Sequence, residues 1–366
     1  MSDGDFVEER AEGTVVESGG FDRWERLRES ELAVVVATTV VVVVFPWLFA
    51  RAPVVSDVLD GYQSLASLVL IWGIFAMGFN LLLGYVGLLS FGHAVFWGGA
   101  AYAAGVFSST VSGSPVLMVV AGTVFAVLMA WVLGVVSLRR GGIYFAILTL
   151  AFGQMAYYLA LGPFATVTGG ENGFTTVQTG DLLGTFRLAS PPPAFEVLFG
   201  NWMYVFVGTL TVASVAVAYR ILHSPYGLVF KAIRENEQRA EFVGLNVWRY
   251  KLMAFVLSGA FAGVAGSLFV VHGGYVPLES LYWTTSGEVV VMAVLGGVGS
   301  LFGPLLGAGV YLYVENIVSG YPAYGAYWHL ILGLVFVVVV VLFPRGIWGI
   351  LATLTSPLKR LVAREE

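Results

Sequence analysis

The sequence predicts an all-α polytopic membrane protein, and three observations carry that prediction. Hydrophobic residues fill 58% of the 366 positions and charged residues only 11%, whereas a soluble domain carries about 25% charged residues. Globular burial cannot hide so much apolar surface, so the solvent is a bilayer. Ten apolar segments follow one another along the chain. Glycine contributes 46 residues, well above the usual ~7%, which suits helices packed through small side chains.

A crossing needs about 20 mainly apolar residues. On that rule the segments are 31–50, 62–83, 92–110, 115–137, 142–162, 201–222, 251–271, 284–298, 301–318 and 327–343. The pair after Tyr282 is short and interrupted by GGVGSLFGP. About ten spans, or eight plus a re-entrant pair, therefore fit the same pattern. Removing the pair leaves the sidedness of everything else unchanged.

Charge sets the orientation. With the amino terminus in the cytoplasm, all of the 18 basic residues except Arg51 and Arg187 fall in inside loops. That is a strong positive-inside signal, and it places both termini in the cytoplasm. The expected organisation is an acidic, disordered cytoplasmic tail at 1–30 (Asp3, Asp5, Glu8, Glu9, Glu12, Glu17), a membrane domain at 31–350 and a cytoplasmic tail at 351–366. The tail at 1–30 has neither the basic opening nor the cleavage site of a secretory signal. The longest outside loop, 163–200, is rich in Gly, Thr and Pro and apolar enough to pack. It caps the bundle or offers a docking surface.

One segment breaks the oily pattern. SPYGLVFKAIRENEQRAEFVGLNVWRYK, at 224–251, is charged and helix-prone, and residues 224–250 form an inside loop. Ser224 is an N-cap and Pro225 sits at N1, where its missing N–H costs nothing. Tyr226, Val229, Phe230, Ile233 and Ala240 share one stripe, interrupted by Glu237. Lys231–Glu235 and Glu235–Arg239 are opposite-charge i,i+4 pairs, each worth a few tenths of a kcal/mol. One helix over about 225–243 should stop near Gly244-Leu245-Asn246. Amphipathicity alone also permits an interfacial helix that merely joins two spans.

The stretch AIRENEQRAEFVGLNVWRYKLMAFVLSGAFAGVAGSLF closely resembles the cytoplasmic loop and following span of ABC importer permeases for branched-chain amino acids, the LivM-type inner-membrane permeases. Five further blocks resemble that family in its own order: NLLLGYVGLLSFGHAVFWGGAAYAAG, RGGIYFAILTLAFGQM, TGGENGF, EVVVMAVLGGVGSLFGPLLGAGVYL and FPRGIWG. The tail at 1–30 and the 175–200 stretch carry no resemblance.

The resemblance implies a type II-like permease of the plasma or inner membrane, paired with a second, homologous permease. Its other implied partners are two cytoplasmic ATPases, which bind ATP and Mg²⁺, and an extracytoplasmic binding protein that delivers Leu, Ile or Val. The helix of the charged loop then lies in a cleft of an ATPase. Arg234, Glu235, Asn236, Glu237, Ala240, Glu241 and Gly244 are its candidate coupling residues, with Ala240, Glu241 and Gly244 matching the family's loop motif. Close relatives handle urea and short amides, so those substrates stay open.

Other motifs are less specific. Gly299, Gly303 and Gly307 recur every four residues, as do Gly259 and Gly263 and the pair Ala262 and Gly266. On helices such spacing makes a smooth packing face; irregular backbone facing a substrate cavity is the other reading. Gly84, Gly87 and Gly92 can open a helix and turn its backbone toward a passing zwitterion. His93, beside Gly92 and Ser90, is a structural histidine bonded to backbone or part of the path. Thr149 and Gln154 join interhelical hydrogen bonds or line that path.

The chemistry-bearing groups are sparse. Cysteine is absent, which removes disulfides and thiolate chemistry. The four histidines lack metal-ligand spacing. Glu288 and Glu315 are the acids inside or bordering the spans, and both are expected near the outer surface. Ion-driven carriers keep ionisable groups near mid-membrane, so an ion-gradient carrier is the weaker alternative. No G-x-x-x-x-G-K-[ST] occurs, so no P-loop binds nucleotide here. The expectation is a transport subunit that is not itself an enzyme, holds no cofactor or metal and binds no nucleic acid.

Overall fold

The computed structural model describes residues 19–50, 62–192, 200–321, 325–350 and 353. Every one of the ten apolar segments is helical there. Helix α1 covers Gly19–Ala50 and α2 covers Gln63–Asn80, continuing through a π-helical turn at Leu81–Val86. Then come α3 (Ala94–Thr110), α4 (Pro115–Ser137), α5 (Ile143–Leu161) and α6 (Trp202–His223). The charged segment forms α7 (Pro225–Glu235) and α8 (Glu237–Phe242). Helices α9 (Val247–Gly273), α10 (Trp283–Gly296), α11 (Gly303–Asn316) and α12 (Trp328–Leu342) complete the bundle.

Among the described residues seven helices are long and apolar enough to cross a membrane: Glu31–Phe49, Gln63–Val86, Pro115–Ser137, Ile143–Leu161, Trp202–His223, Val247–Gly273 and Gly325–Leu342. Helix α3 has 17 residues, and α10 and α11 have 14 each. At 1.5 Å per residue the last two are roughly 21 Å long, short of a ~30 Å hydrocarbon core. Helix α1 begins at Gly19, so the stretch 19–30, expected to be disordered, is helical. Residues 1–18 of that tail, and the 351–366 tail apart from Thr353, lie outside the described residues.

Helix α2 is the centre of the bundle, with 89% of its apolar window buried; α12, at 6%, is peripheral. Contacts between α9 and α3, α4 and α2 form the main core, while α10 and α11 pack on α2 from another side. Small residues set these distances. A Cβ on Gly263 would press on the Cβ of Ala126 at 2.6 Å, and one on Gly259 would meet the Ala130 Cβ at 2.5 Å. One on Gly266 would strike the Trp97 carbonyl. So α9 lies against α4 and α3 almost backbone to backbone, the packing use of glycine that the four-residue spacing suggests. Trp97 itself fills the core, its ring 4.6 Å from Trp72 and 4.8 Å from Phe75.

The 163–192 part of the long loop packs down. Phe174 and Val276 exchange backbone hydrogen bonds of 2.9 Å, and Gln178 N–H donates to Ser108 Oγ at 3.1 Å. Helix α1 is held to α6 by the Tyr204 hydroxyl donating to the Val42 carbonyl at 2.8 Å and by an Arg220–Glu31 ion pair at 2.5 Å.

Candidate functional site

The charged segment is two helices, where the sequence reading expects one. The break falls at Asn236, whose extended backbone (φ −160°, ψ 105°) closes α7 and opens α8. Its short amide competes with helix continuation: Oδ1 accepts from Arg239 N–H at 2.9 Å, a standard N-cap. Helix α8 stops at Phe242, and Gly244 then takes φ +87°. Nothing would lie within 4 Å of a Cβ there, so left-handed backbone, not space, requires glycine. Pro225 does occupy N1 of α7, but the Ser224 hydroxyl turns back to donate to the Ile221 carbonyl at 2.6 Å instead of capping the new helix.

The buried stripe differs in detail. Gly227, Phe230, Ile233 and Ala240 are buried, whereas Tyr226 is 51% exposed. The two expected i,i+4 ion pairs do not form. The break at Asn236 puts Glu235 and Arg239 on different helices, and Lys231 instead lies 5.9 Å from the centroid of the Tyr85 ring, within cation–π range. Glu237 pairs with Lys251 on α9 at 2.5 Å. Lys251 is buried, so this pair nails the start of α8 to the foot of α9. Phe242 and Val243, 89% and 77% exposed, project from the tip.

Beneath α7, two helices of the bundle give way to irregular backbone. Helix α2 loosens into its π turn and ends at Gly87 (φ +81°); residues 87–93 are irregular until His93 opens α3. Helix α10 ends at Gly296, and Gly297 (φ +117°) and Gly299 (φ +83°) carry the chain to α11. Gly299 is therefore in the loop, not on the helical face the spacing suggests. Gly303 and Gly307 are on α11, where a Cβ on either would run into α10 backbone, the carbonyls of Gly296 and Met292. Asn80 ties the two breaks: Nδ2 donates to the Ser300 carbonyl at 2.8 Å and Oδ1 accepts from Gly299 N–H at 2.9 Å. Arg234 reaches the same place, its Nη1 donating to the Gly84 carbonyl.

Four of the five candidate path residues converge. A Cβ on Gly92 would strike the Thr149 carbonyl, and Thr149 Oγ1 accepts from Phe91 N–H at 3.2 Å. Ser90 Oγ accepts from Gly92 N–H at 3.4 Å. His93 is fully buried, with Nε2 bonded to Ser258 Oγ at 2.8 Å, and Ser258 donates to the Gly78 carbonyl at 2.7 Å. That partner is a serine hydroxyl, and the Ser90 backbone also lies against the ring. The rings of Phe79, Phe96 and Phe255 stand edge-on around it. Gln154 joins none of these hydrogen bonds, and its Nε2 is buried without a partner.

Sequence reasoning missed Asn80, Lys251, Ser258 and Ser300. Asn80 had a readable signal: a lone amide beside an apolar run that ends in glycine. Among the described residues no three His, Asp or Glu side chains come together to hold a metal. What the arrangement offers is an exposed helix pair with defined points of attachment to the broken ends of α2 and α10.

Residues 61–340 match the family model described as "Branched-chain amino acid transport system / permease component". The chain is 31% identical over 329 residues to the high-affinity branched-chain amino acid transport system permease protein LivM of Escherichia coli K12, covering 85% of this chain and 73% of that protein. It is 22% identical to a probable branched-chain amino acid transport permease protein LivM of Methanocaldococcus jannaschii, over 81% of this chain and 97% of that protein. Its 27% identity to the LivH protein of that organism covers 42% of this chain and 50% of the other. No solved structure matches. The stretch so matched contains both helix breaks and the charged helix pair, and the chain belongs to the permease family of branched-chain amino acid transport systems.

Proposed function

We propose that this protein is the membrane-spanning permease subunit of an ATP-driven importer that takes Leu, Ile or Val from an extracytoplasmic binding protein. The observation that carries the reading is the continuous family match over 61–340, which includes α7 and α8 and every path residue. The hydrolytic machinery belongs to two ATPase subunits docked on the α7–α8 side, with ATP and Mg²⁺ held there. A second, homologous permease completes the membrane part.

Helices α7 and α8 act as the handle. ATP-driven closure of the ATPases displaces them, and their attachments pass that displacement to α2, α9 and α10. We read α3 as an eighth crossing and the α10–α11 hairpin as re-entrant, because each of its 14-residue arms is too short to cross alone. An even number of crossings then leaves both termini in the cytoplasm, in the type II-like arrangement. The path itself needs only weak affinity, since selectivity resides in the delivering protein.

Proteoliposomes holding the chain with its sister permease, the two ATPases and the binding protein test this. Labelled leucine should accumulate with ATP and not without it. Accumulation by this chain alone from an ion gradient would refute the reading, and ATP-driven uptake of urea or a short amide in place of leucine would correct the substrate.

A further inference from the structure

One side chain of α7 touches both helix breaks. Arg234 Nη1 donates to the carbonyl of Gly84, in the π turn that ends α2. Its Cγ lies 3.3 Å from where a Cβ on Gly87 would sit, and Nη1 lies 3.3 Å from where a Cβ on Gly299 would sit. Lys231, one turn earlier on the same face of α7, covers the Tyr85 ring. Gly87 leaves room for the stem of Arg234 and Gly299 for its guanidinium.

The chemistry of the contact favours a transmitted force. The last turn of α2 presents carbonyls without intrahelical partners and the negative end of the helix dipole. A guanidinium is always charged and presents a rigid fork of five donors, so it grips such an end firmly. Asn80 has already joined the two breaks through Gly299 and Ser300. A pull at one break is therefore shared by the other. Gly84 completes the fit, because a side chain there would strike Asn80 Oδ1 and the Gly299 backbone.

We propose that Arg234 is the positioning residue through which a displacement of α7 moves both broken segments, 84–93 and 297–302, together as one gate. The proposal rests on the reading of α7 and α8 as the driven elements, and adds which side chain does the transmitting and to what.

The test uses the full complex in proteoliposomes with Arg234→Ala and Arg234→Lys, reading leucine transported per ATP hydrolysed. Arg234→Ala should assemble and hydrolyse ATP while transport per ATP falls about tenfold, well within the range of measured coupling energies; Arg234→Lys, which keeps the charge but not the fork, should fall between. An unchanged ratio in Arg234→Ala overturns the proposal. So does a parallel loss of hydrolysis, uptake and thermal stability, which marks a merely structural bond. Because the chain has no cysteine, spin labels on cysteines placed at Leu89 and Val298 report the separation of the breaks directly. Arg234→Ala should broaden or shift that distance distribution. If the parent complex shows no ATP-driven uptake, the transport reading fails instead, and the label distances still decide: identical distributions with and without Arg234 overturn the proposal.

Discussion

Asn80 and Gly299, 219 positions apart in the sequence, are joined by a hydrogen bond of 2.9 Å from the Gly299 N–H to the Asn80 side-chain oxygen. Because the same amide also donates to Ser300, replacing Asn80 with Leu takes the partner from two half-buried polar backbone groups. Each stranded group costs about 1–3 kcal/mol. Asn80→Leu should therefore lower the thermal midpoint of the detergent-solubilised subunit and reduce uptake severely. Asn80→Asp keeps the acceptor for Gly299 but loses the donor and sets a carboxylate against the Ser300 carbonyl. It should fare no better than the leucine variant; a parent-like midpoint for Asn80→Asp would show that the bridge is dispensable.

Glu237 and Lys251 form an unequal pair, with the lysine side chain 9% exposed and the glutamate 50%. Removing the glutamate leaves a buried ammonium without its partner, whereas removing the lysine leaves a carboxylate that water can solvate. Glu237→Gln should therefore cost more stability than Lys251→Met, with a difference on the order of 1–2 kcal/mol. The double variant should recover most of the loss. Equal single losses that simply add would show that the pair is not coupled.

Glu241 and Gly244 separate function from folding. Both lie on the exposed tip, and a lysine at Glu241 meets no crowding. Glu241→Lys should insert and fold normally yet abolish ATP-driven uptake, because reversed charge would spoil the proposed docking on an ATPase. Gly244→Asp sets a second negative charge beside Glu241 on that tip, in left-handed backbone that Asp tolerates better than most side chains, and should likewise stop uptake. Asn is the residue that, after Gly, most often takes this position at a helix end and adds no charge, so Gly244→Asn should be the mildest replacement. Parent-level uptake by Glu241→Lys at equal expression would remove α8 from the coupling surface.

The sequence told a great deal about this fold and less about its site, for physical reasons. Apolar runs bounded by charge are read in one dimension, and each of the ten runs is helical. The seat of Arg234 is not one-dimensional. It needs Gly84, Gly87 and Gly299 brought together, and only the bundle does that. The split at Asn236 was hidden because a stripe at helical spacing runs across it; the residue that breaks it is a weak helix former whose capping role depends on a local choice of backbone. The 299, 303 and 307 spacing misled in the opposite way. A four-residue period implies a helical face only where the chain is helical, and positive φ at Gly299 ends that premise.

The glycines of α9 give the sharpest contrast between residues that look alike in sequence. Gly266 sits where a methyl would meet the Trp97 carbonyl, and backbone cannot yield as a side-chain tip can. Gly287, in α10, and Gly333, in α12, have nothing within 4 Å of an added Cβ. Gly266→Ala should therefore prise α9 from α3 at a cost of about 1–3 kcal/mol or more, seen as a lowered midpoint and poor recovery of the subunit. Gly287→Ala and Gly333→Ala should be neutral or slightly stabilising, since alanine favours helix over glycine by up to about 1 kcal/mol. Thermal melts of the three variants in one detergent decide the matter: a Gly266→Ala midpoint equal to that of Gly333→Ala would mean that α9 and α3 do not meet backbone to backbone.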